Sequence, residues 1–291
     1  MSDPLDRLVK RLDPLLDRLE QMLPGEAPAP DFRAFTAFRW RRRSARGLLE
    51  PVRHPHRIRF ADLHDIDEQK RRLRENTARF VAGGPANNVL LTGARGTGKS
   101  SLVKAALSEF APKGLRLIEV DKSDLVDLPD IVDCVAGRRE RFVVFCDDLS
   151  FEADEPGYKS LKVALDGSIA GSADNLLIYA TSNRRHLMPE YMAENLETRH
   201  VGEEIHPGEA TEEKISLSER FGLWLSFYPF DQEQYLRIAA HWVDALGGRV
   251  DSGFEAAARL WSLERGARSG RVAWQFARDY VGRAAPSRTR K

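Results

Sequence analysis

The 291-residue chain is short of several things, and each shortage removes a class of protein. It has two cysteines, Cys134 and Cys146, too few for a disulfide framework and without the paired spacing of a zinc site. Both are expected to be reduced, buried thiols. No stretch approaches the roughly 20 consecutive apolar residues that cross a bilayer, so no membrane span is expected. No basic n-region with an apolar h-region opens the chain, and a cytoplasmic protein is expected. Net charge is only +1, so the molecule as a whole is not built to coat nucleic acid. Nor does the sequence repeat itself, which removes solenoids and propellers.

What is present is a core-forming composition, 42% hydrophobic and 31% charged, enough for one large domain or two smaller ones. The rest is organised around Gly93-Ala94-Arg95-Gly96-Thr97-Gly98-Lys99-Ser100. This stretch fits G-x-x-x-x-G-K-[ST], a phosphate-binding loop, and its context agrees. Asn88-Val89-Leu90-Leu91 before it reads as a strand, and the segment from Ser101 to Leu107 after it reads as a helix. Gly93, Gly96 and Gly98 let the backbone approach an anion with no Cβ in the way. The amides of the loop, including Ala94, Arg95, Thr97 and Ser101, and the positive end of the helix then face the phosphates. Lys99 would bridge the outer phosphates and the Ser100 hydroxyl would ligate Mg²⁺. The bland alternative is a glycine-rich turn followed by a chance Lys-Ser.

In chain order, Leu5, Leu8, Leu12, Leu15, Leu19 and Met22 predict an amphipathic helix over 4–22, kinked at Pro14 and ended by Pro24-Gly25. Residues 31–59 hold nine arginines against Asp31 and Glu50, interleaved with Phe32, Phe35, Phe38 and Trp40. Two readings compete. The aromatics could stack bases while the arginines bind phosphates, or a helix could bury the phenylalanines and leave the arginines wet. A polar helix is predicted from Asp67 to about Val81, and further strands at 115–120, 142–146, 176–181 and 223–227, separated by helices. That alternation predicts a mainly parallel sheet with ligands at the carboxyl ends of its strands. After Pro229 the pattern is purely helical, over 231–246, 252–265 and 269–284. The expected domains are an N-terminal helix and basic arm (1–59), an α/β nucleotide-binding domain (60–229), a small helical lid (230–284) and a disordered tail (285–291).

The third strand ends in Asp147-Asp148. A carboxylate there can hold the metal, and a second can orient and deprotonate a water, roles read here for Asp147 and Asp148 respectively. A strand end capped by acids is the bland alternative. The fourth strand ends in Thr181-Ser182-Asn183, where Asn183 could reach the terminal phosphate or the water. The long polar segment 184–217 is read as a partner-binding or mobile loop, its histidines too scattered for a metal site.

With these stretches and Ser218-Glu219-Arg220-Phe221-Gly222 and Ser269-Gly270-Arg271, the chain resembles an AAA+ ATPase over about 60–284. Asp-Asp followed by Leu149 and Phe151 is similar to the bacterial replication initiator and helicase-loader group. Pro85-Ala86-Asn87-Asn88 and Ser182-Asn183-Arg184-Arg185-His186-Leu187 resemble a domain-of-unknown-function family of bacterial ATP-binding proteins. The resemblance implies ATP and ADP with Mg²⁺ as ligands, and a P-loop NTPase sheet ordered 5-1-4-3-2 with a C-terminal helical lid. It implies Asn183 as sensor 1, Arg220 as an arginine finger acting on a neighbour's nucleotide, and Arg271 as sensor 2. It places Leu63 to Ile66 around the adenine. It also implies a nucleotide-dependent homo-oligomer, acting on an unidentified protein partner and, through residues 31–59, on nucleic acid. Many AAA+ members carry Glu where Asp148 stands, one methylene longer. The functions to be weighed are therefore Mg-dependent ATP hydrolysis and an ATP-gated binding module with negligible turnover.

Overall fold

In the computed structural model the described residues are 29–43, 46–151, 155–166, 174–183, 199–201, 204–206 and 217–284. The predicted leucine-striped helix and the basic C-terminal tail lie outside them, and the segment from Phe32 onward forms one compact unit. The elements are β1 (Ala37–Arg43), β2 (Arg46–Pro51), α1 (Asp67–Val81), β3 (Val89–Gly93), α2 (Lys99–Phe110), β4 (Leu115–Glu119) and α3 (Leu128–Val135), continuing with β5 (Arg141–Cys146), α4 (Pro156–Asp166), β6 (Leu176–Ser182), β7 (Arg199–Val201) and β8 (Glu204–His206). β9 (Leu223–Phe227), α5 (Gln232–Ala245), α6 (Phe254–Glu264) and α7 (Gly270–Ala284) follow among the described residues. β7 and β8 pair as a small separate antiparallel hairpin that carries His200 and His206.

Seven strands form the main sheet in the order β2-β1-β4-β5-β6-β3-β9, all parallel except the β1–β2 pair. Counted from β3, its five central strands stand 5-1-4-3-2 from the β9 edge. Their unbroken apolar runs follow from burial on both faces. Val143 and Phe145 of β5 point into one hydrophobic cluster, with Leu91, Leu102 and the helices α1, α2, α5 and α7. Phe142 and Val144 point into the other, with α3, α4 and the N-terminal hairpin.

The arm is the main departure from expectation. Residues 37–51 form a hairpin, not a helix, and β1 pairs in parallel with β4. Two periodicities conflict in this segment. Phe32, Phe35 and Phe38 are spaced for a helix, whereas Phe38-Arg39-Trp40-Arg41 alternates as a strand, and the strand pattern wins. A strand here covers the edge of β4, which would otherwise expose unpaired amides and carbonyls. Phe38 and Trp40 are fully buried, each adding about 2–3 kcal/mol of apolar burial. The Trp40 ring lies where a Cβ on Gly47 would stand, 1.8 Å from its Cζ2, so β2 passes only because that residue is glycine.

The arginines of β1 are also used. Arg39 pairs with Glu119 at 2.8 Å and Arg41 with Asp121 at 3.2 Å. Asp127, just before α3, accepts from the Trp40 indole at 3.0 Å and lies 3.7 Å from Arg42. The arm is therefore bound to its own sheet by aromatics and ion pairs, and these side chains are not available to stack bases. A second correction concerns the thiols. Cys146 is buried, which pushes its pKa up to about 12, but Cys134 is exposed on α3.

A buried polar network explains Pro85-Ala86-Asn87-Asn88. Asn76 of α1 donates to the Asn87 carbonyl (2.9 Å) and accepts from the Asn87 amide (3.0 Å). The Tyr179 hydroxyl of β6 closes the network on Asn76 and Thr77, and the Asn88 side chain accepts from the Ile178 amide at 2.8 Å. This fixes α1 against the start of β3. Asn76→Ala takes this partner from the Asn87 amide and carbonyl, while Tyr179 keeps Thr77, and is expected to cost about 1–3 kcal/mol in urea unfolding. Asn87→Ala, which keeps the backbone partners, is expected to cost less than about 1 kcal/mol.

Candidate functional site

The loop between β3 and α2 is shaped by close backbone contact. β3 is flanked by β6 and β9, and its end runs against β9 so tightly that a Cβ on Gly93 would stand 1.9 Å from the Phe227 carbonyl oxygen. The turn then opens α2 at Lys99, with Gly98 as its N-cap. A glycine-rich turn that ends on the N-terminus of a helix fits a phosphate chain. Lys99 is buried and its ammonium donates to the Gly93 and Ala94 carbonyls at 2.7 Å and to Asn183 Oδ1 at 3.0 Å. Burial pushes the Lys99 pKa down, Asp147 and Asp148 pull it back up, and Arg95 opposes them.

Asp147 and Ser100, predicted as the metal ligands, are brought together. Ser100 Oγ donates to Asp147 Oδ1 at 2.6 Å. A hydroxyl and a carboxylate at the open side of a phosphate loop are a hard oxygen donor set, which fits Mg²⁺. The same Asp147 oxygen accepts from Thr181 Oγ1 of β6, also at 2.6 Å. Thr181 in turn accepts from the Asp148 amide at 2.9 Å, and its carbonyl accepts from the Leu149 amide at 2.6 Å. Thr181 is the residue that sequence reasoning passed over. Its position two residues before Asn183 was visible, but only pairing of β5 with β6 shows that it orients both acids.

Asp148 sits in the left-handed region at φ 56°, a conformation that Asp tolerates better than most residues. Its carboxylate accepts from the Asn183 amide nitrogen, and Arg95 Nη2 lies 3.9 Å away. Asn183 thus touches both Lys99 and Asp148. Glu152, a nearby acid, lies outside the described residues.

Leu63 and Ile66 are buried beside the loop, with Ile66 Cδ1 3.4 Å from where a Cβ on Gly98 would stand. The segment carrying them is fixed to α5, with Asp65 bonded to Arg237 at 2.6 Å and the His64 and His241 rings 4.3 Å apart. Burial is the main cause that lowers the His64 pKa. On the opposite side, the Gly270 amide at the start of α7 donates to the Gly96 carbonyl at 2.8 Å. Arg271 follows directly and is exposed, its Cβ 3.6 Å from the Cβ position of Gly96. A cleft of about 920 Å³ runs between Ala94, Arg95 and Thr97 of the loop and Leu260, Leu263 and Arg268. Arg220 is not in this group. It pairs with Asp166 at the end of α4, at 2.5 Å.

A phosphate loop on the first strand of a 5-1-4-3-2 sheet, with acids on the third and an Asn on the fourth, defines the chain as an AAA+ P-loop protein. It is similar to Thermotoga maritima RuvB, in the R170A variant, with TM-score 0.52, 17% identity, and coverage of 78% of this chain and 66% of that one. It is equally similar to the Aeropyrum pernix ORC1 protein, solved in complex with DNA, with TM-score 0.52, 18% identity, and coverage of 78% and 63%. The chain thus spans somewhat under two thirds of either structure's length. No curated protein sequence matches it significantly. Residues 33–284 match the family described as "Protein of unknown function (DUF815)", and the chain belongs to that family.

Thr181→Val keeps the shape and removes both hydroxyl bonds. The Asp148 amide is left unpartnered, and the expected loss is about 1–3 kcal/mol. The more telling expectation is in binding. Thermal stabilisation of this variant by ATP should respond less to added Mg²⁺ than that of the wild type, because Asp147 loses its second hydroxyl.

Proposed function

We propose that the protein is a Mg-dependent ATPase of the AAA+ type that converts ATP to ADP and phosphate and couples the nucleotide state to movement of helices α5–α7. The observation that carries this reading is the convergence of Lys99, Ser100, Asp147, Asp148 and Asn183 at one loop end. The amides of residues 93–101 would hold the phosphates, with Lys99 on the outer ones. Ser100 and Asp147 would hold the magnesium ion, which neutralises phosphate charge when bound. Asp148 would orient and deprotonate the attacking water, with Asn183 aligning it. Leu63 and Ile66 would form the wall against the adenine.

Residues 230–284 would then act as the lid. The Gly270–Gly96 bond ties the start of α7 to the loop, so a change in the loop is felt by that helix. Arg271, on the first turn of α7, would reach the bound phosphates from this side. Arg220 points to Asp166, away from its own chain's loop, and is proposed to serve the site of a neighbouring copy in a homo-oligomer. The protein would work in the cytoplasm on a macromolecular partner. The likeness to ORC1, solved in complex with DNA, keeps nucleic acid among the candidates, although Arg39 and Arg41 of β1 are already ion-paired.

A second reading is an ATP-gated binding module with negligible turnover. It is favoured by the Asp148 carboxylate, which is shorter than glutamate and already engaged by Asn183. Multiple-turnover phosphate release at saturating protein separates the two readings.

Lys99→Ala is expected to weaken ATP binding on the order of 10- to 100-fold in a fluorescence titration. Unchanged affinity would refute the site. Asp148→Asn is expected to keep binding and lose turnover by about 100-fold or more. Mixing Arg220→Ala with Lys99→Ala chains tests action between copies: each variant is inactive alone, and the mixture should recover part of the phosphate release.

A further inference from the structure

Position 95 is one of the unspecified places in G-x-x-x-x-G-K-[ST], so the motif assigns its side chain nothing. In this chain it is an arginine, four residues before Lys99. The two cations close a circuit. Lys99 donates to Asn183, Asn183 donates to Asp148, and Asp148 lies 3.9 Å from the Arg95 guanidinium. Both cations come from the loop, and both of their partners come from the ends of β5 and β6. The circuit therefore spans the turn at Gly96-Thr97-Gly98, where the loop amides converge.

We propose that Arg95 is a positioning residue that aims the Asp148 carboxylate from within the same chain. This rests on the ATPase reading above. The Arg95 and Asp148 side chains are 79% and 57% exposed, and a pair so open to water adds little to stability. Its use is directional. Asp148 occupies left-handed backbone, a strained state that persists only where surroundings over-determine it. Thr181 holds its amide and Asn183 holds one carboxylate oxygen, leaving Oδ2 toward Arg95. A single bond to Asn183 lets the carboxyl group rotate, and a cation on the second oxygen removes that freedom. Arg95 also lines the cleft of about 920 Å³ beside the loop.

The test compares wild type, Arg95→Ala and Arg95→Lys, with ATP affinity from fluorescent-nucleotide titration and kcat and KM from phosphate release. Arg95→Ala is expected to lower kcat on the order of tenfold, with affinity within about threefold of wild type. Arg95→Lys, which keeps the charge, is expected to recover part of that loss. Loss of affinity with kcat unchanged would make Arg95 a phosphate ligand and overturn the proposal. An unchanged Arg95→Ala enzyme would also overturn it, as would a loss that lysine does not relieve. Wild-type protein that binds ATP without turnover would instead overturn the ATPase reading, and this proposal with it.

Discussion

One oxygen of Asp147 accepts from two hydroxyls, Ser100 at the start of α2 and Thr181 on β6. Much of the site depends on that arrangement. β5 and β3 are not neighbours, because β6 lies between them, and the acid of β5 meets Ser100 directly while Thr181 of the intervening strand holds the same oxygen. The crossover connections that put β6 there also bring Asn183 to Lys99. A parallel sheet directs its strand ends to one side, and the chemistry collects at that edge.

The same sheet explains why the basic arm is not an arm. Glu119 ends β4, Asp121 and Asp127 follow it, and arginines of β1 answer them. The surface pairs are individually weak, and Trp40 and Phe38 account for most of the anchoring. Charge that looks like an invitation to nucleic acid in one dimension is answered by acids in three at Arg39, Arg41 and Arg42. Among the described residues, Arg95, Arg259, Arg268 and Arg271 are exposed near the loop, the cleft and the first turn of α7.

The central sheet was legible because its strands are buried on both faces and so appear as plain apolar runs, as in Phe142 to Cys146. The three final helices were legible from their period, with bounds within two residues. The hairpin was not, because Phe32, Phe35 and Phe38 match a helical period while Phe38 to Arg41 match a strand. The deciding factor, the free edge of β4, is a property of another segment. Cys134 was misjudged for a related reason: α3 turns it outward, which its neighbours in sequence do not reveal.

From its residues alone the chain determined the phosphate loop, the acids after the third strand and the alternation of strands and helices, because each is written in short contiguous stretches. Tertiary structure alone decided that Thr181 orients both acids, that Gly270 holds Gly96, and that Arg220 faces Asp166 instead of its own loop. These contacts join residues tens to well over a hundred positions apart. Their existence follows from strand order and packing, and local periodicity carries no record of either.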